Sequence, residues 1–146
     1  ASYLPWLLTG AFFLGAYAAA PEKGPIGRLF LLAVASGLLA RFGGVELIRA
    51  FYDRPRPYLA YPQIHPLFTD SGGSFPSGHA VFFSGVAVAA FLSYPVWGAA
   101  LGAGVALVLV SRVIAGLHYP SDMIGGVLIG TTLTYAAFSL AQSFGF

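Results

Sequence analysis

Residues 95–144 read PVWGAALGAGVALVLVSRVIAGLHYPSDMIGGVLIGTTLTYAAFSLAQSF. Two apolar runs, Val96–Ala115 and Ser121–Phe144, flank the short connection Leu117–Pro120. A bilayer core of roughly 30 Å is crossed by about 20 apolar residues in a helix, and both runs reach that length. Strand-like alternation is absent from them, which argues against a transmembrane barrel. Their charged residues gather near the join: Arg112 late in the first run, His118 in the connection, and Asp122 early in the second. Ionisable side chains in so apolar a setting are a functional-site hypothesis by default.

Three more stretches of the same kind lie upstream: Leu4–Ala20, Leu29–Ala50 and Ser77–Tyr94. The fold expected is therefore all-α, a polytopic transmembrane helical bundle of about five spans, with residues 1–146 forming one domain. Composition agrees. The 146 residues are 58% hydrophobic and 8% charged, with a mean hydropathy of +0.79. Soluble domains carry about 25% charged residues. The net charge of +2 is too small to suggest a nucleic-acid partner, and the arginines form no basic stripe. Cysteine is absent, which excludes disulfides, thiolate nucleophiles and Cys-ligated metals.

The first span ends Ala18-Ala19-Ala20 like a signal-peptide cleavage site, but no basic segment precedes it and Pro21 follows, so a spanning helix is expected instead. The chain opens on Ala1 rather than Met, which leaves room for an upstream segment. Pro21–Arg28, Tyr94-Pro95 and Leu117–Pro120 are short connections, whereas Phe51–Pro76 is long and rich in Pro, Tyr and Gly. A loop of that length is usually functional or disordered.

Connectivity then constrains the site. With five spans, the loop between spans two and three and the loop between spans four and five fall on one side of the bilayer. Beside them lie three clusters: Arg49 with Arg56-Pro57, Pro76-Ser77-Gly78-His79, and Ser111-Arg112 with His118 and Asp122. The clusters can meet without any charge crossing the membrane. Lys23 and Arg28 occupy the opposite side, which the positive-inside rule assigns to the cytoplasm. The site is expected to face the periplasm or outside of a bacterial inner membrane.

Arg49, Arg56 and Arg112 come from three segments, and arginines so gathered repel unless an anion lies among them. Phosphate suits the planar, bidentate guanidinium. Ser77 and Gly78 stand where the third span begins, and a helix N-terminus favours an anion. Gly78 permits close backbone approach, and His79 is placed to transfer a proton. His118 and Asp122 are four residues apart, so a helix beginning near Pro120 puts them on one side. A carboxylate on one imidazole nitrogen leaves the other free to attack phosphorus. No metal or cofactor is expected, since the arginines and the helix N-terminus can stabilise the developing charge.

Other charges receive ordinary readings. His65 stands alone in the long loop, and Arg54 is read as solvated or at the headgroups. Asp53 and Asp70 are isolated. Arg41 and Glu46 are five residues apart and do not share a helix face well. Each is expected to pair elsewhere in a structural role, Glu46 with a site arginine. Gly98 with Gly102 and Gly126 with Gly130 form GxxxG pairs, expected to pack helices within the monomer.

The motifs together resemble the type 2 phosphatidic acid phosphatase family, the integral-membrane lipid phosphatases. That family's pattern is Lys, six residues, Arg-Pro; then Pro-Ser-Gly-His; then Ser-Arg, five residues, His, three residues, Asp. This chain has Arg49 through Arg56-Pro57, Pro76-Ser77-Gly78-His79, and Ser111-Arg112 through His118 to Asp122, at the family's spacings. The resemblance implies His118 as nucleophile, Asp122 as its orienting partner and His79 as general acid. It implies a phosphate held by Arg49, Arg56, Arg112, Ser77 and the Gly78 amide. Arg49 departs from the family's Lys, and five spans depart from its usual six. The implied activity is hydrolysis of a lipid phosphate or diphosphate, of undecaprenyl diphosphate, phosphatidylglycerophosphate or phosphatidic acid type. The alternatives are a phosphotransferase using the same phosphohistidine, or a transporter or scaffold that binds lipid phosphate without turning it over. A haloperoxidase-like vanadate site shares the motifs, but in soluble relatives.

Overall fold

The computed structural model describes residues 34–144. Every regular element among them is helical, and no strand occurs. Residues 34–39 are helical and pass through a π-helical turn, Ala40–Gly44, into α1, Val45–Phe51. The short α2 spans Pro57–Ala60, and α3, α4 and α5 span Gly78–Ser93, Pro95–Ile114 and Pro120–Ser143.

The helix ends follow from local chemistry. Proline opens α2, α4 and α5, where its missing N–H costs nothing and its fixed φ suits the first turn. Ser77 caps α3, its hydroxyl accepting from Ala80 N at 3.4 Å. Tyr94 is held out of helical geometry by Pro95 and so breaks α3 from α4. Past the end of α4, Gly116 takes a φ of +72°, which reverses the chain toward His118.

Helix α3 is the centre of the bundle and packs against both α4 and α5, which scarcely touch each other. Gly126 and Gly130 let α5 lie directly on α3: a Cβ at Gly126 would meet Ala80 and the Ser77 carbonyl, and one at Gly130 would meet the Val81 carbonyl and Ser84. This GxxxG pair packs helices within the monomer, as expected. The other pair divides, with Gly98 tight against Phe91 across the turn and Gly102 facing open space. Phe82 and Val86 pack on Leu38 and Phe42, and Ala80, Leu109 and Met123 bring α3, α4 and α5 together.

The outer surface is apolar. Leu39, Leu47, Val96, Trp97, Leu107, Ile114, Ile124 and Leu128 are all exposed. A surface of that kind belongs against lipid rather than water. Helices α4 and α5, of 20 and 24 residues, are long and apolar enough to cross a membrane, and they coincide with the expected spans Val96–Ala115 and Ser121–Phe144. Helix α3 has 16 residues, about 24 Å at 1.5 Å per residue, so the expected span Ser77–Tyr94 is a shorter apolar helix. The expected span Leu29–Ala50 is helical from residue 34, with a π turn inside it. The expected span Leu4–Ala20 lies outside the described residues.

The long loop folds back on itself. Ser74 N donates to Arg54 O at 2.8 Å, and the Tyr58 hydroxyl donates to Asp70 O at 2.9 Å. These bonds lay residues 68–74 over the end of the bundle where α3 and α5 begin.

Candidate active site

A cavity of about 440 Å³ opens at that end. Arg49, Arg56, Gly78, His79, Arg112 and His118 all line it, so six of the eight residues singled out in the sequence converge on one space. The other two lie behind its wall. Ser77 is fully buried; its hydroxyl caps α3, and its N–H donates to Asp122 O at 3.1 Å. Asp122 is fully buried behind His118.

The hydrogen bonds of His118 fix its tautomer. Arg56 Nη1 lies 3.2 Å from His118 Nε2. A guanidinium can only donate, so Nε2 is the acceptor and the ring proton is on Nδ1. That proton is donated to Ser74 O at 2.9 Å, with Asp122 Oδ2 at 3.5 Å. The lone pair of Nε2 is therefore directed at the Arg56 guanidinium, which lines the cavity beside it and must yield to phosphorus for attack. The Ser74 carbonyl is the nearer acceptor, a role that no motif spacing could reveal.

Burial is the main cause that lowers the His118 pKa below its ordinary value. The Arg56 and Arg112 cations push it the same way, while the Asp122 carboxylate opposes them. The imidazole is thus neutral around pH 7, the form in which Nε2 is a nucleophile.

Asp122 is held on both oxygens. Tyr119 N donates to Oδ2 at 2.8 Å, and Arg54 Nη1 donates to Oδ1 at 2.9 Å. Arg54 Nη1 also bonds Ser121 Oγ at 2.7 Å, and its guanidinium lies 3.8 Å over the Tyr119 ring. Arg54 is therefore not a solvated loop residue. A signal for it existed: a buried carboxylate needs a cation, and Arg54 was the loop arginine not already assigned to phosphate.

Two carboxylates stand among the cavity arginines. Asp70 Oδ2 lies 3.4 Å from Arg56 Nη2 and 3.4 Å from Arg112 Nη2. Glu46 Oε1 lies 2.9 Å from Arg41 Nη1 and 3.5 Å from Arg49 Nη1. The mutual repulsion of the arginines is thus relieved by the protein's own carboxylates, not only by a bound anion. Asp70 is not isolated, as its sequence position suggested. Arg41 and Glu46 pair with each other, which the sequence did not suggest, because the π turn Ala40–Gly44 widens the helix and brings residues five apart onto one face. Glu46 also meets the site arginine Arg49, as expected.

Arg56 is almost wholly buried, donating to Gly72 O at 3.0 Å, Ser71 O at 3.2 Å and Leu117 O at 3.2 Å. Arg49 Nη2 donates to Pro76 O at 3.1 Å. The buried Nε atoms of Arg49 and Arg112 have no acceptor among the described residues. The missing side chain of Gly78 makes room for the end of the Arg41 side chain, which a Cβ there would displace. The His79 ring lies 6.1 Å from that of Phe83, one turn along α3. His65 is exposed and Ser111 bonds its own helix at Val108 O, so neither enters the cavity. Among the described residues no three His, Asp or Glu side chains gather as a metal site would require.

Comparison with known proteins finds that the family model described as PAP2 superfamily matches residues 27–145. An undecaprenyl-diphosphatase of Sulfolobus acidocaldarius is 35% identical over 115 residues, covering 78% of this chain and 52% of its own length. A decaprenylphosphoryl-5-phosphoribose phosphatase of Mycobacterium tuberculosis is 34% identical over 134 residues, covering 88% of this chain and 67% of its own. Against most of the curated relatives it matches, the chain spans about half their length. The crystal structure of a transmembrane PAP2 type phosphatidylglycerolphosphate phosphatase from Bacillus subtilis superposes with a TM-score of 0.63 at 24% identity. That alignment covers 98% of this chain and 71% of the other.

Proposed function

The chain belongs to the PAP2 superfamily, and from that premise we propose that it is a membrane phosphatase hydrolysing a lipid phosphate or diphosphate through a phosphohistidine on His118. The observation that carries this reading is His118 itself, neutral, protonated on Nδ1 and presenting Nε2 beside Arg56 in an arginine-lined cavity. Nε2 attacks phosphorus in line with the departing oxygen. Arg49, Arg56 and Arg112, with the first amides of α3 at Gly78, bind the phosphoryl oxygens and stabilise the charge that develops on them. Ser77 supports those amides as the cap. His79 gives a proton to a leaving lipid alkoxide and then takes one from the water that hydrolyses the phosphohistidine. Asp122 and the Ser74 carbonyl hold the imidazole, and Asp122 offsets the positive charge that the ring gains.

In this reading residues 1–146 act as one transmembrane phosphatase domain of about five spans. It lies in a bacterial inner membrane with its cavity toward the periplasm. The substrate's hydrocarbon tail stays in the bilayer while its phosphate enters the cavity. Guanidinium groups do the electrostatic work, so no metal is required. The experiment is phosphate release from a panel of lipid mono- and diphosphates with EDTA present. Turnover that survives EDTA and is inhibited by vanadate is expected, since five-coordinate vanadate mimics the phosphoryl transition state. Turnover abolished by EDTA and restored by magnesium would contradict it.

A further inference from the structure

The carboxylates divide the cavity's four arginines into two pairs. Arg56 and Arg112 share Asp70 beside His118, and Arg41 and Arg49 share Glu46 beside the start of α3. A carboxylate bridging two guanidinium groups occupies the place that oxygens of a bound anion would take. The two pairs therefore mark two anion positions in one cavity.

Resting on the phosphatase reading above, we propose that the site is built for a lipid diphosphate, with the terminal phosphate between Arg56 and Arg112 and the lipid-proximal phosphate at Arg41 and Arg49.

The second position has the marks of a built site. The π turn brings Arg41 and Glu46 onto one face, and the missing side chain of Gly78 lets the Arg41 guanidinium lie across the first turn of α3. The Arg41 and Arg49 side chains are each nine-tenths buried, and Arg49 Nε has no acceptor among the described residues. The Glu46 side chain is 42% exposed, free to turn outward when a phosphate takes its place. Arg49 joins the positions, since it lies within electrostatic range of Arg41, Glu46, Arg56 and Asp70.

The chemistry balances without a further reactant except water. His118 Nε2 forms a bond to the terminal phosphorus. The bond from that phosphorus to the bridging oxygen breaks, and its electron pair remains on the oxygen as the lipid monophosphate departs. The added charge appears beside Arg41 and Arg49, so no proton need be delivered to the leaving group. Water, giving a proton to His79, then attacks the phosphohistidine, the electron pair of the P–N bond returns to Nε2, and orthophosphate leaves.

The test compares farnesyl diphosphate with farnesyl monophosphate, which share one tail, as substrates of the full chain in detergent micelles. The wild type is expected to favour the diphosphate. The double variant Arg41→Met/Glu46→Gln removes one charge of each sign, so the net charge of the cavity is unchanged while Arg49 stays in place. It is expected to lower the diphosphate-to-monophosphate ratio of kcat/KM by about ten- to a hundredfold, as for one charge-assisted hydrogen bond lost in the transition state. An unchanged ratio overturns the proposal, as does a wild type that favours the monophosphate, though the latter leaves the phosphatase reading intact. If neither compound is turned over, the phosphatase reading itself fails. Should the double variant not fold, inhibition of the wild type by inorganic pyrophosphate and by orthophosphate decides it: pyrophosphate is expected to inhibit at lower concentration, and equal potency overturns the proposal.

Discussion

Arg54 Nη1 lies 2.9 Å from Asp122 Oδ1, so the carboxylate behind the His118 imidazole is itself neutralised by a cation from the long loop. Arg54 does not line the cavity. It acts through Asp122, and its distance from the chemistry makes its effect separable from that of the phosphate-binding arginines.

Arg54→Ala is accordingly expected to change the pH profile as well as the rate. In the wild type, burial and the Arg56 and Arg112 cations hold the His118 pKa below its ordinary 6.5, against the opposing pull of Asp122. The nucleophile must be neutral, so the acid limb of kcat/KM lies below the usual imidazole range and activity is lost as pH falls through it. Without Arg54 the full charge of Asp122 acts on the imidazole, its pKa rises, and the acid limb moves to higher pH. Arg54→Lys should restore most of the wild-type profile. A profile that stays put in Arg54→Ala would reduce Arg54 to a loop anchor.

Arg49 stands where the family has Lys, and here it uses two arms, one toward Glu46 and one to Pro76 O. An ammonium on a flexible stem cannot reproduce that fork. Arg49→Lys is expected to lose about ten- to a hundredfold in kcat/KM, as for one charge-assisted hydrogen bond, and Arg49→Ala more. Equal efficiencies for Arg, Lys and Ala, measured on one lipid phosphate, would remove Arg49 from the phosphate site.

His79 is assigned the leaving-group proton. Replacing it should therefore harm a monophosphate substrate, whose alkoxide leaves poorly, more than a diphosphate, whose leaving phosphate is already a weak base. The comparison is kcat for His79→Ala on both kinds of substrate. An equal loss on the two would remove the leaving-group proton from His79 and leave it the hydrolytic step or phosphate binding alone.

The sequence made some of this legible and hid the rest for physical reasons. Helices α4 and α5 could be read because each is a long apolar run opened by a proline. Arg49, Arg56, His79, Arg112 and His118 could be read because fixed spacing beside two loops on one side leaves them one place to meet. Arg41 with Glu46 could not, since 3.6-residue periodicity separates residues that a π turn unites. Asp70 and Arg54 were hidden because each is brought to its partner by the folding of the long loop, at separations of 42 and 68 residues along the chain. Ser77 was assigned to phosphate through its motif, and the structure has its hydroxyl capping α3.

The central claim is that phosphate passes through His118. The direct measurement is a rapid acid-free quench of the enzyme during turnover of a lipid substrate radiolabelled in its terminal phosphate, followed by mapping of the labelled residue. The account predicts an alkali-stable, acid-labile label on His118, absent from a His118→Ala variant that remains folded by circular dichroism and has lost turnover. Wild-type turnover in His118→Ala, or a label that maps to another residue, would contradict it.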